Sequence, residues 1–176
     1  VNQHLGVQLN DEQKGWLTSS MDAILANNLA QGQVYVHRDY HSRNLMITQP
    51  NPGILDFQDA VYGPITYDLV SLLRDAYIEW TEQEVLDMAI RYWERAKKAG
   101  LPVHADASEF YKDFELMGAQ RQIKVIGIFA RLCHRDGKDG YLKDIPLVMQ
   151  YLRKTCERYI ALGPLLKLLN QLEGTE

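Results

Sequence analysis

Cysteine is scarce in this chain. There are two, Cys133 and Cys156, in no C-x-x-C arrangement. Neither a disulfide framework nor a paired-thiol motif is expected, and both residues suit a reducing compartment as buried apolar side chains. No apolar run approaches the roughly 18 residues that a membrane-spanning helix needs, so no membrane partner is expected. The first residues carry no basic stretch followed by an apolar one, and no signal peptide is read there. Basic charge is not in excess: 19 Lys and Arg stand against 23 Asp and Glu, a net charge of −4. That argues against the broad basic surface that phosphate-backbone binding needs, and so against nucleic acid as a partner, while a local basic site is still allowed. There is no G-x-S-x-G elbow, which disfavours a serine hydrolase. Internal repeats and low-complexity segments are also missing. What remains is 176 residues, 46% hydrophobic and 24% charged, an ordinary globular composition. Such a chain reads as one domain, able to bury about two-thirds of its unfolded surface without a disulfide or metal staple.

An early mixed part precedes a later helical part. Leu17, Met21, Leu25 and Leu29 recur every fourth position and predict a helix over 10–31, capped by Asn10 or Asp11 and stopped by Gly32. Residues 34–36 read as a strand, 37–43 as a polar loop, 45–48 and 54–57 as two strands joined through the turn residues 49–53 into a hairpin. After Pro64, Leu69, Val70, Leu72, Leu73, Ala76 and Tyr77 predict a helix apolar almost all round, hence central. Val85, Ala89, Tyr92, Trp93 and Ala96 mark another, ending near Gly100. Phe110, Phe114, Met117, Val125, Phe129 and Leu132 mark one long helix or a bent pair. Leu152, Cys156 and Tyr159 continue the pattern, and 165–172 form a last amphipathic helix. The expected class is α+β, mainly helical, with a small β-hairpin.

The polar loop reads His37-Arg38-Asp39-Tyr40-His41-Ser42-Arg43-Asn44, and the third strand ends Leu55-Asp56-Phe57. Three oxygen-bearing side chains, Asp39, Asn44 and Asp56, therefore surround one hairpin. If Met46 faces Ile54, Asn44 faces Asp56, with Cα atoms about 4.5–5.5 Å apart and side chains on one face. Those hard oxygens would suit Mg²⁺, which takes one or two protein carboxylates and fills its shell with water and phosphate oxygens. A register slipped by one residue would place them on opposite faces.

H-R-D-x-x-x-x-N resembles the catalytic loop of protein kinases and their small-molecule relatives, with Asp56-Phe57 standing where those enzymes keep a metal-binding Asp. Gln58 replaces the Gly of the protein-kinase D-F-G triplet, which argues against a protein kinase. The run Leu55-Asp56-Phe57-Gln58-Asp59-Ala60, then Gly63-Pro64 and Tyr67-Asp68-Leu69, is similar to the aminoglycoside phosphotransferase and choline kinase superfamily. V-H-R-D-Y-x-x-R-N-L-M and G-I-L-D-F-Q-D-A-V-Y-G-P-I-T-Y-D resemble more closely its bacterial branch of cell-wall recycling, which phosphorylates the anomeric hydroxyl of N-acetylmuramate and N-acetylglucosamine. The matching motifs run from about Val36 to Asp75.

The resemblance implies a mainly helical C-terminal lobe of a protein-kinase-like fold over 1–176, acting with ATP and Mg²⁺ in the cytoplasm on a sugar hydroxyl. Asp39 would be catalytic, orienting the acceptor hydroxyl and taking its proton. Asn44 and Asp56 would hold Mg²⁺, His37 and Arg38 would brace the loop, and Asp68 would accept hydrogen bonds from the loop backbone. Such kinases need a Gly-rich phosphate loop and a strand lysine. Neither a G-x-G-x-x-G nor a V-A-I-K-like strand is present, so a missing N-terminal lobe of the same protein is an expected partner, and the isolated chain is expected to be nearly inactive. Alternatives are an aminoglycoside or choline-type phosphotransferase, whose cationic acceptor would want an acidic pocket from Glu79, Glu82, Asp87 and Asp113, or a noncatalytic binding module.

Other positions stay open in the sequence. Asp59 is either near the metal or a turn former, and Asp68 is equally a helix N-cap. Arg43 either contacts phosphate or substrate or pairs with a carboxylate, and His41 is a possible phosphate or substrate contact. Tyr62, Tyr77 and Trp80 either wall a sugar site or belong to the core. His37 and His41 have a zinc-like H-x-x-x-H spacing, but Arg38 stands where the needed Glu would be, and zinc is not expected.

Overall fold

The computed structural model describes residues 2–174. Helices dominate: α1 (Asn2–Leu5), α2 (Asp11–Ala30), α3 (Tyr67–Leu73), α4 (Glu82–Lys98), α5 (Ala107–Asp136), α6 (Ile145–Arg158) and α7 (Gly163–Glu173). Between α2 and α3 lie four short strands, β1 (Gln33–Val36), β2 (Leu45–Met46), β3 (Gly53–Ile54) and β4 (Val61–Pro64). They make two antiparallel pairs, β1 with β4 and β2 with β3. The α+β class is therefore observed. The described chain divides into two compact units, one of residues Asn27–Gly118, the other of the residues up to Ala26 with those from Ala119 onward.

In the first unit, α3, α4 and the start of α5 share a core. Val70 and Leu73 pack with Val85, Ala89, Phe114 and Met117, with Tyr67, Leu72 and Trp80 around them. Burial of each larger side chain contributes about 1.5–3 kcal/mol. Helix α4 is fixed at its start by a capping box: Glu84 N donates to Thr81 Oγ1, and Thr81 N donates to the Glu84 carboxylate. Helix α3 is shorter than its apolar run suggests, ending before Arg74, so Ala76 and Tyr77 lie beyond it.

Strand β4 is absent from the sequence-based expectation. Gly63 and Pro64 argue against a strand, yet both are tolerated at these places. Gly63 lies opposite Val34, and a Cβ there would sit 3.0 Å from Val36 Cγ2. Pro64 closes the ladder opposite Gln33. Tyr35 and Tyr62 pair across the two strands on the exposed face, while Val36 is buried.

Helix α2 is capped by Asn10, whose Oδ1 accepts from Gln13 N while Gln13 Oε1 accepts from Asn10 N. Its buried face differs from the leucine stripe. Leu29 is 74% exposed, and the buried positions are Ser20, Ile24 and Asn28, followed by Gln31. The polar groups near its end are satisfied by one another. Gln31 Nε2 donates to Asp113 O, Thr66 Oγ1 donates to Gln31 Oε1, and Asn27 Nδ2 donates to Asp113 Oδ1. Buried polar residues with partners are stable but invisible to hydrophobic periodicity.

In the second unit, Val148, Leu152 and Cys156 of α6 and Leu165, Leu168 and Leu169 of α7 are buried. Burial pushes the Cys156 thiol up to about 12. Arg153 ties the two helices by donating to Asn170 Oδ1 and to the Glu173 carboxylate. The 107–136 segment is one continuous helix, not a bent pair.

Candidate active site

The loop between β1 and β2 is held by carboxylates from outside it. Asp68, second residue of α3, accepts from His37 N at 2.6 Å and from Arg38 N at 3.0 Å. Its carboxylate caps loop amides and not its own helix, whose N-cap is Thr66. Asp75, just past α3 and 4% exposed, accepts from Ser42 N at 3.0 Å and Ser42 Oγ at 2.5 Å through Oδ2, and from Tyr77 N at 3.1 Å through Oδ1. The motif reading missed Asp75. The only sign of it was a charged residue inside a largely apolar run, 33 positions from its partner.

Within the loop, Arg38 has φ +78°, a left-handed conformation that costs a non-glycine residue on the order of 1 kcal/mol. It is stabilised there by the Asp68 bond and by Arg38 Nη1 donating to Asp59 O at 3.3 Å. His37 Nε2 lies 2.9 Å from Leu55 O, which ties the loop to the chain leaving the hairpin. Asp39 follows Arg38 directly. Its carbonyl accepts from His41 N at 3.0 Å and from Asn44 Nδ2 at 2.9 Å. Among the described residues its carboxylate has no hydrogen bond or ion pair, which leaves both oxygens open to an incoming hydroxyl.

The expected hairpin register is corrected by the structure. Leu45 pairs with Ile54 and Met46 with Gly53, one residue away from the expected pairing. The strands are also two residues long, not four, and Asn44 lies in a short 3₁₀ turn, Ser42–Asn44, before β2. Asn44 O accepts from Leu55 N, so Leu55 stands opposite Asn44. By strand alternation alone, Asp56 would turn away. It does not, because its φ is +65° and the chain leaves the ladder there. Asn44 Nδ2 reaches Asp56 Oδ2 at 3.5 Å, and Gln58 Nε2 donates to Asp56 Oδ1 at 2.6 Å. Asp39, Asn44 and Asp56 are thus linked through one amide, by a different backbone route from the one expected.

The remaining candidates separate. Asp59 sits in the turn closed by Ala60 N donating to Phe57 O, and serves the loop through its carbonyl. The His37 ring packs edge-on to Tyr40, the His41 ring edge-on to Tyr77. Arg43 lays its guanidinium over Tyr77, 3.4 Å from the ring centroid. Tyr62 is 69% exposed on β4 opposite Tyr35, whereas Trp80 packs on the α3–α4–α5 core. Tyr62, Tyr77 and Trp80 therefore occupy three surroundings and make no single stacking wall. Three of the four candidate acidic residues are engaged in separate pairs. Glu82 binds Arg74 in a two-pronged contact, Asp87 pairs with Arg91, and Asp113 meets Asn27 and His104. Burial holds the Asp113 carboxyl above the usual carboxylate range.

No helix among the described residues is long and apolar enough to cross a membrane. Over 176 residues the chain is 56% identical to the N-acetylmuramate/N-acetylglucosamine kinase of Neisseria meningitidis serogroup B, covering all of this chain and 53% of that protein. Proteins of the same name from Pseudomonas aeruginosa and Pseudomonas putida are 47% and 46% identical over 174 residues, covering 98% and 99% of this chain and 52% and 51% of theirs. The chain spans about half the length of these relatives. The model of the phosphotransferase enzyme family matches residues 1–106, which contain the whole loop, hairpin and Asp68–Asp75 clamp, and the chain belongs to that family.

Proposed function

We propose that this chain is the C-terminal lobe, over 1–176, of a kinase-like fold whose whole protein phosphorylates a sugar hydroxyl from ATP. The acceptor is the anomeric hydroxyl of N-acetylmuramate or N-acetylglucosamine, and the setting is the cytoplasm. The observation that carries this reading is the Asn44 amide. It joins the main chain of Asp39 to the Asp56 carboxylate, so the residue proposed as the base and the two proposed metal ligands are linked through one side chain. The names of the relatives support the acceptor class. An N-terminal lobe of the same protein supplies the phosphate loop and lysine that this sequence lacks, in keeping with its coverage of about half of each relative.

In this reading Asp39 accepts the proton of the acceptor hydroxyl while that oxygen bonds to the terminal phosphorus and the bond to the ADP oxygen breaks. Phosphoryl transfer demands positioning and charge neutralisation more than covalent chemistry. Asn44 and Asp56 fit Mg²⁺: their oxygens are hard donors, and the amide hydrogens now facing Asp56 occupy the positive role that a cation would take. Bound there, Mg²⁺ would neutralise phosphate charge. Asp68 and Asp75 keep the loop in register, and His37 with Arg38 ties its start to Leu55 and Asp59. A cationic aminoglycoside or choline acceptor is less well served, because Glu82, Asp87 and Asp113 are engaged in separate pairs.

The test is ADP release by the full-length protein with a panel of amino sugars, aminoglycosides and choline. Turnover confined to amino sugars is expected. Asp39→Ala in that protein should lower kcat by about 10²–10⁴-fold with an unchanged unfolding midpoint. Normal kcat in this variant rules Asp39 out as the base, and turnover of aminoglycosides or choline in place of amino sugars overturns the acceptor class.

A further inference from the structure

We propose that Arg43, stacked on Tyr77, is the anion-recognising group of the acceptor site and binds the carboxylate that distinguishes N-acetylmuramate from N-acetylglucosamine. This rests on the function proposed above. The two sugars share the acetamido group and the anomeric hydroxyl. The muramate alone carries a lactyl ether ending in a carboxylate, so a site that serves both needs one cationic group off the reaction axis.

Three observations place Arg43 in that role. The first is its freedom from internal carboxylates. Its side chain is exposed, and among the described residues its one contact is the face of Tyr77. The other loop cation, Arg38, is already engaged with Asp59 O. A guanidinium lying flat on a ring keeps its in-plane N–H groups directed outward, and that planar fork matches a carboxylate in two parallel hydrogen bonds.

The second is direction. Asn44, the next residue, turns its amide to Asp39 O and Asp56. In a 3₁₀ turn of three residues per revolution, successive side chains point about 120° apart. Arg43 therefore leaves the Asn44–Asp56 side, where the phosphates would lie, and reaches towards Tyr77 beyond α3.

The third is preorganisation. One buried carboxylate holds both halves of the stack. Asp75 Oδ2 accepts from Ser42, the residue before Arg43, and Asp75 Oδ1 accepts from the amide of Tyr77. The His41 ring braces the same tyrosine, 5.9 Å away between centroids. A cation held in place before the ligand arrives loses less rotamer freedom on binding.

The experiment uses the full-length protein and steady-state kinetics with both sugars. In R43M the ratio of kcat/KM for N-acetylmuramate to that for N-acetylglucosamine should fall about ten- to hundredfold, the worth of a charge-assisted bond, and the loss should appear in the KM for N-acetylmuramate. R43K keeps the charge without the fork and should give an intermediate ratio. It also decides the matter should R43M fail to fold. Equal losses on both sugars, or an unchanged ratio, overturn the assignment and leave the proposed function standing. A wild type that accepts N-acetylglucosamine but not N-acetylmuramate overturns the assignment as well. A wild type that turns over neither sugar overturns the proposed function and this subsite with it.

Discussion

Asp68→Asn separates the positioning of the loop from the loop's own chemistry. In the native protein one carboxylate receives two backbone amides, from His37 at 2.6 Å and Arg38 at 3.0 Å. An asparagine offers one acceptor oxygen, so its NH₂ must face one of those N–H groups, donor against donor. Losing one charge-assisted bond and unsatisfying one amide costs about 3 kcal/mol. Release of the left-handed Arg38 backbone returns about 1 kcal/mol of that. The net cost, about 2 kcal/mol, is spent locally on the strand end and loop. It corresponds to about thirtyfold faster amide exchange at His37 and Arg38. Because Asp39 is the next residue, kcat of the full-length protein should fall with it. The assays are hydrogen exchange at those two amides and kcat with an amino sugar. Wild-type protection at both amides in Asp68→Asn refutes the clamp, and wild-type kcat beside lost protection refutes its coupling to catalysis.

Two further outcomes concern the scaffold. At Gly32 an added Cβ would lie 2.0 Å from Pro102 O, a backbone atom with no rotamer to yield, so Gly32→Ala should cost about 1–3 kcal/mol by overpacking. A urea midpoint within error of wild type would show that this close approach is not maintained. The two thiols should also differ. With its pKa raised to about 12 by burial, Cys156 should resist a thiol reagent at pH 8 until the chain unfolds, while half-buried Cys133 labels in the native state. Equal native labelling of both would contradict the packing of α6.

Much of the helical framework is legible in the sequence because apolar spacing reports burial directly. Val85, Ala89 and Ala96 lie on the buried side of α4, and Phe110, Phe114 and Met117 on that of α5. The reading breaks where polarity and burial part company. In α2, Leu25 and Leu29 point outward, while Asn28 is buried against Gln31, just past the helix, which in turn finds its partners in Thr66 and Asp113 from distant parts of the chain. Strand β4 is hidden by its Gly-Pro ending, a pattern that reads as a turn without knowledge of Val36 across the ladder. The position of the candidate site along the chain is legible in its motif. The acidic clamp is only half legible: Asp68 sits inside the motif, but Asp75 contributes through a contact with Ser42 that no local pattern encodes.

The hairpin shows why residue spacing alone places side chains unreliably here. Register is well specified when one face of a strand is buried, because a slip exposes the whole apolar set. Strands β2 and β3 have two residues each, and Met46, Ile47, Ile54 and Leu55 are all exposed. Neither face outweighs the other, so the alternation that would select a register is missing. Register passes instead to contacts outside the ladder: His37 Nε2 against Leu55 O, and Leu55 N donating to Asn44 O. Both bind the exit of β3 to the loop that carries Asp39. Asp56 then turns through a left-handed residue and meets Asn44 from the end of the ladder and not across it. The loop and Asp56 are therefore positioned by each other and by the Asp68 and Asp75 carboxylates, while the hairpin serves as their tether. That arrangement ties the approach of Asp56 to Asn44 to the integrity of the loop, so a substitution that loosens the loop disturbs the Asn44–Asp56 contact as well, even where β2 and β3 remain paired.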